Sequence, residues 1–117
     1  MYDTISMSHN DSDGISCQIV LKQHYQNLKM YNCSYDKITE YLDHIDDNCY
    51  DFRPQEVYIT DLSFETPYAL HLEKIVERHP YVKFIYIDHH PYDDELMSVF
   101  KKINQNDNFF KEKSRTD

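Results

Sequence analysis

Residues 8–16, SHNDSDGIS, set one histidine, two aspartates and the chain's only glycine within the six positions from His9 to Gly14. Two other stretches concentrate similar groups: YITDLS, which carries Asp61, and YIDHH, which carries Asp88, His89 and His90. Carboxylates and imidazoles together suit Mn²⁺ or Mg²⁺, with Mn²⁺ favoured where histidines contribute. Each stretch alone has a plainer reading. Asn, Asp, Ser and Gly make solvated turns, an aspartate ending a strand caps the next turn, and a lone His-His pair is ordinary surface polarity. HNDSDG also matches the front half of a calcium loop. Counting from His9, however, the twelfth position is Val20, where that loop needs a bidentate glutamate. His89 and His90, being adjacent after a strand, face different directions and should do different jobs.

These groups matter only if the fold brings them together. YDTISMS (2–8) reads as a strand, and ISCQIVLKQHYQNLK (15–29) has apolar residues near helical spacing. MYNCSY (30–35) reads as a short strand. DKITEYLDHID (36–46) repeats Ile38, Tyr41, Leu42 and Ile45 as an amphipathic helix. EVYITDL (56–62) is a β-rich strand. TPYALHLEKIVERH (66–79) is a helix with Thr66 as N-cap and Pro67 at its first position, carrying Leu70, Leu72, Ile75 and Val76. YVKFIYID (81–88) is a near-continuous apolar run, as in a buried parallel strand. DDELMSVFKKIN (93–104) is a last helix, and the tail FFKEKSRTD has only a weak pattern.

Strand and helix therefore alternate four times. That order predicts an α/β fold, a three-layer α/β/α Rossmann-like domain with a mainly parallel sheet of about four strands and right-handed crossovers. Ligands in such sheets sit at the carboxyl ends of the strands. His9-Asp11-Asp13, Asp61 and Asp88-His89-His90 all fall there, which makes their convergence the strongest signal in the chain.

Composition sets the bounds. The 117 residues, 40% of them hydrophobic, suit one domain over 1–117 with a single core. No apolar run approaches the ~20 residues of a membrane span, and MYDTISMSHN has neither the basic nor the apolar region of a secretory signal. Cys17, Cys33 and Cys49, an odd count with no CxxC pair, read as free thiols of a cytoplasmic protein rather than a zinc site. A formal charge of −9 is a poor match to a phosphate backbone, unless divalent cations neutralise part of it and hold phosphate themselves.

In that order and strand context, SHNDSDG, YITDLS and YIDHH resemble the first three motifs of the DHH phosphoesterases over residues 1 to about 92. That family includes RecJ-type exonucleases, oligoribonucleases, cyclic-dinucleotide phosphodiesterases and family-II inorganic pyrophosphatases. The resemblance, closer to the nuclease members in its first-motif spacing, implies two metal ions, Mn²⁺ or Mg²⁺. His9 and Asp11 would hold the first, Asp13 and His89 the second, and Asp61 would bridge both. His90 would meet the phosphate, Asp88 would orient the histidines, and Gly14 would let the backbone approach the substrate. Two cations ~3.5–4 Å apart activate a bridging water and clamp a phosphoryl oxygen. The implied activity is hydrolysis of phosphodiester or phosphomonoester bonds in nucleotides or short oligonucleotides.

Members of that family carry a fourth motif and a second, substrate-gripping domain, and this sequence reaches Asp117 with neither. The expectation is either a minimal or truncated member, or one whose site a partner chain or a homodimer completes. The competing readings are a non-catalytic truncated module that binds metal, nucleotide or a partner protein, and a structural α/β domain whose acids are accidental.

Overall fold

A computed structural model of the chain describes residues 3–9, 28–88 and 92–113. Five strands form one sheet: β1 (Thr4–His9), β2 (Leu28–Cys33), β3 (Glu56–Thr60), β4 (Lys83–Asp88) and β5 (Phe109–Lys113). Three helices, α1 (Ile38–Phe52), α2 (Thr66–Arg78) and α3 (Asp94–Ile103), connect β2 to β3, β3 to β4 and β4 to β5. The strand order is β2-β1-β3-β4-β5, and every neighbouring pair is parallel. This is the Rossmann-like α/β class expected from the alternation, with a doubly wound order whose direction reverses between β1 and β3.

Packing follows from the two side-chain periods. Ile5, Val57, Phe84 and Phe109 are paired in register from strand to strand, and Met7, Ile59 and Tyr86 form the next row. All seven are buried on one face of the sheet. The helices present matching stripes: Ile38, Leu42, Ile45 and Cys49 from α1; Ala69, Leu72, Ile75 and Val76 from α2; Leu96, Val99, Phe100 and Ile103 from α3. They join the strand residues in a single core. Each fully buried aliphatic or Phe side chain contributes ~1.5–3 kcal/mol, so this cluster supplies most of the drive to fold.

The structure departs from the sequence reading at several places. The sheet has five strands where about four were expected, because FFKEK forms an edge strand in which Phe109 is buried and Phe110 exposed, and the three charges in its sequence weaken the pattern. β2 begins at Leu28, not Met30, so residues 28 and 29 leave the predicted helix; the rest of that segment, 15–27, lies outside the described residues. A 3₁₀ turn (Tyr35–Lys37) precedes α1, which runs six residues beyond Asp46 because Cys49 prolongs its buried stripe. Arg53, before Pro54, ends it in a left-handed conformation at φ 44°. In α2 the N-cap is Glu65 and not Thr66, and Ala69 rather than Leu70 faces the core; Leu70 is exposed. The α3 N-cap is Asp93, whose carboxylate accepts the Leu96 N–H at 2.8 Å. Among the described residues no helix is long and apolar enough to cross a membrane.

Candidate functional site

The strand register brings the predicted groups to one level. Ser8 of β1 pairs with Thr60 of β3, and Thr60 pairs with Ile87 of β4. One residue further on, His9, Asp61 and Asp88 leave three neighbouring strands together, at the ~4.8 Å spacing of adjacent strands. The same row continues outwards to Cys33 on β2 and Lys113 on β5. His9 and Asp61 therefore flank the point between β1 and β3 where the strand order reverses, the crevice in which ligands of doubly wound sheets sit.

Asp61 is built unusually. Its N–H still donates to the Ile87 carbonyl at 3.1 Å, continuing the β3–β4 ladder, but its φ is 55°. A left-handed aspartate is tolerated better than most residues, yet the conformation turns the chain sharply at the strand end. The residue is 9% exposed, so a carboxylate lies largely out of water. The loop after it is pinned from β4: the Tyr86 hydroxyl donates to the Leu62 carbonyl and accepts the Phe64 N–H at 3.3 Å. The Tyr86 ring packs edge-on against Phe64 at 5.2 Å. Beside Asp61, the Ser8 and Thr60 hydroxyls are buried and find no hydrogen-bond partner among the described residues.

His9 is half-buried, and its ring lies 4.6 Å from that of Tyr35, tilted by 36°. Tyr35 follows β2, and its hydroxyl accepts the Ser63 N–H at 3.4 Å. One side chain thus spans the exits of β2, β1 and β3. Sequence reasoning overlooked Tyr35, Ser8, Thr60 and Tyr86; the strand patterns of β1, β3 and β4 gave the positions of Ser8, Thr60 and Tyr86, but nothing in them marked a contact between residues 35 and 63.

Beyond β3 the edge opens into a cleft of about 620 Å³ between the starts of α2 and α3, lined by Ser63, Phe64, Glu65, Thr66, Asp93 and Glu95 among others. Its carboxylates occupy the positive ends of both helices and repel a bare phosphate there.

Of the predicted site residues, the structure brings His9, Asp61 and the backbone of Asp88 to one level. Asp11, Asp13, Gly14, His89 and His90 lie outside the described residues. The described part supplies one imidazole and one buried carboxylate, a donor pair that fits Mn²⁺ or Mg²⁺. No group of three or more potential His, Cys, Asp or Glu ligands occurs among the described residues.

No family model matches the chain, and no curated protein matches it either. Two solved structures share its fold. One, from Burkholderia pseudomallei K96243, is described as pilus assembly-related: 14% identity, 84% of this chain and 70% of that one, TM-score 0.54. The other is the solution structure of a phosphate-loop protein: 14% identity, 90% of each chain, TM-score 0.53. These comparisons overturn the expected membership of the DHH phosphoesterases, since the structural likeness runs to other kinds of protein and no family model supports it. The physical reason lies in the motifs. Each is short and polar and ends a parallel strand, where a sheet of this order gathers such residues whatever its family. The order and strand context of the three motifs follow from the fold, and residue roles rest on position alone.

Proposed function

We propose that the chain is a divalent-metal-dependent phosphoesterase acting on nucleotides or short oligonucleotides at the carboxyl edge of its sheet. The observation that carries this reading is the level placement of His9 and Asp61 across the β1/β3 reversal, with the Asp61 carboxylate buried in a left-handed turn. His9 and Asp61 would hold a cation, joined by Asp11, Asp13 and His89 from the adjoining segments. A bound Mn²⁺ or Mg²⁺ supplies charge neutralisation and Lewis acidity at a phosphoryl group. His90 and Gly14 would receive the phosphate, and Asp88 would orient the neighbouring imidazoles.

The likeness to a phosphate-loop protein supports a phosphate-bearing ligand at this edge in shape only. A GxxxxGK[S/T] loop needs two glycines, and this chain has Gly14 alone, followed by Ile15 and Ser16. With a charge of −9 and no such loop, phosphate is better held through a cation than by backbone alone. A second reading is a non-catalytic nucleotide- or partner-binding module, to which the exposed, backbone-tethered Tyr35 ring beside His9 would be equally suited. Hydrolysis of a short oligonucleotide and of a small phosphodiester, followed against Mn²⁺ concentration, decides between them. Turnover that rises with Mn²⁺ and disappears in Asp13→Ala supports the enzyme. Absence of turnover at saturating Mn²⁺, with tight nucleotide binding, supports the module.

A further inference from the structure

We infer that Tyr35 is the platform on which the base of a nucleotide stacks, so that the site selects nucleobase-bearing phosphate esters over other phosphate esters. The inference rests on the proposed placement of phosphate over the β1/β3 reversal. Several tyrosines are spent on the core: Tyr86 is wholly buried, and Tyr31, Tyr41 and Tyr68 pack against the same cluster. Tyr50, near the end of α1, and Tyr81, just before β4, are more exposed but lie away from the carboxyl ends of the strands. Tyr35 stands at the carboxyl edge with 41% of its surface exposed, although contacts with described residues fix it. Its ring rests against His9, and its hydroxyl is tethered to the Ser63 backbone. The turn that carries it is also set. The Ser34 hydroxyl donates to Asp36 at 2.6 Å, and the Lys37 N–H donates to the Ser34 carbonyl at 3.0 Å.

An exposed aromatic ring held in one orientation costs little further ordering when a flat ligand settles on it, which is what base stacking requires. Its position beside His9 places a stacked base next to the strand end assigned to the cation, so one nucleotide could reach both. Stacking tolerates every base, because each has a π-face, so the preference would be for nucleotides as a class.

The test is calorimetric titration of the full chain, in Mn²⁺, with AMP and with ribose 5-phosphate, which differ only in the base. The wild type should bind AMP about 5- to 150-fold more tightly. Tyr35→Ala and Tyr35→Leu should bind both ligands alike, at the ribose 5-phosphate level, and Tyr35→Phe should keep the preference because it keeps the ring. Equal binding of the two ligands by the wild type, an AMP preference surviving in the Ala and Leu variants, or binding of neither ligand overturns the inference. An AMP preference that depends on Tyr35 in a chain that hydrolyses nothing would uphold Tyr35 and overturn the esterase reading, so the two failures are distinct.

Discussion

The Tyr86 hydroxyl, on β4, donates its hydrogen to the backbone carbonyl of Leu62, one residue past Asp61. The same oxygen accepts the Phe64 N–H, so one buried phenol fixes both sides of the loop that follows β3. The Asp61 N–H bond to Ile87 and the Ser63 N–H bond to the Tyr35 hydroxyl hold the same stretch from its other sides.

Tyr86→Phe should therefore keep the ring packing and lose the anchor. Two buried backbone groups would lose their partner, at a cost of about 1–3 kcal/mol in thermal or urea unfolding. Mn²⁺ affinity should fall as well, although no proposed ligand has changed. A stability loss with unaltered Mn²⁺ affinity would show that Tyr86 does not position Asp61.

Asn108 offers a control at the opposite end of the sheet. Its side-chain amide donates to the carbonyls of Val76, His79 and Val82 at 3.1, 2.9 and 2.9 Å, fastening the end of α2 to the start of β5. Asn108→Asp turns the donor into a carboxylate facing three carbonyl oxygens. Unfolding should become easier by about 2–4 kcal/mol, and Mn²⁺ affinity measured well below the melting temperature should be unchanged. A large loss of Mn²⁺ binding in this variant would mean that the two ends of the sheet are coupled.

Burial raises the Cys33 thiol to about 11, with Asp36 and Glu40 adding to the effect, and the Cys49 thiol to about 12, with Asp46 adding to it. In a Cys17→Ser background, both should resist alkylation at pH 8 in the folded protein and react at once in denaturant. The sign of the pH effect follows from linkage. Above the ordinary thiol value of 9.0, the unfolded chain loses protons that the folded chain keeps. This contribution to stability is whole below pH 9 and is lost as the pH rises towards 11 and 12. Urea unfolding between pH 8 and 11 would show it, and a Cys33→Ser, Cys49→Ser variant should lose less stability over that range. Fast labelling of either thiol at pH 8 would contradict the burial.

Much of this arrangement is legible in the sequence. The apolar run YVKFIYID gives β4, and the spacing of Leu96, Val99, Phe100 and Ile103 gives α3, because a two-residue or 3.6-residue period maps directly onto a buried face. Asp61 and Asp88 are recognisable as strand-end residues for the same reason. What the sequence hides is whatever depends on pairing between distant segments. The sequence of β5 has two aromatic residues followed by three charges, so its strand character comes from hydrogen bonding to β4. The meeting of Tyr35 with Ser63, and of Tyr86 with Leu62, spans 28 and 24 residues and leaves no local pattern. The family resemblance erred through the opposite effect: three local patterns were strong, but they reported strand ends, which the fold alone supplies.

Asp61 allows the metal reading to be separated from backbone effects. At φ 55°, asparagine is nearly as comfortable as aspartate, because a short polar side chain can bond locally in the left-handed region. Alanine has no such compensation and should destabilise the chain by roughly 1–2 kcal/mol on conformational grounds. Asp61→Asn should therefore melt close to the wild type, since it keeps shape and removes only the charge. It should nevertheless lose most Mn²⁺ binding, because a neutral amide oxygen is a far weaker partner for a hard cation than a carboxylate. Asp61→Ala should lose both stability and binding. Calorimetric Mn²⁺ titration and thermal unfolding of the three proteins check this together. Wild-type Mn²⁺ affinity in a well-folded Asp61→Asn protein would remove Asp61 from the cation site and, with it, the main support for metal-dependent hydrolysis at this edge.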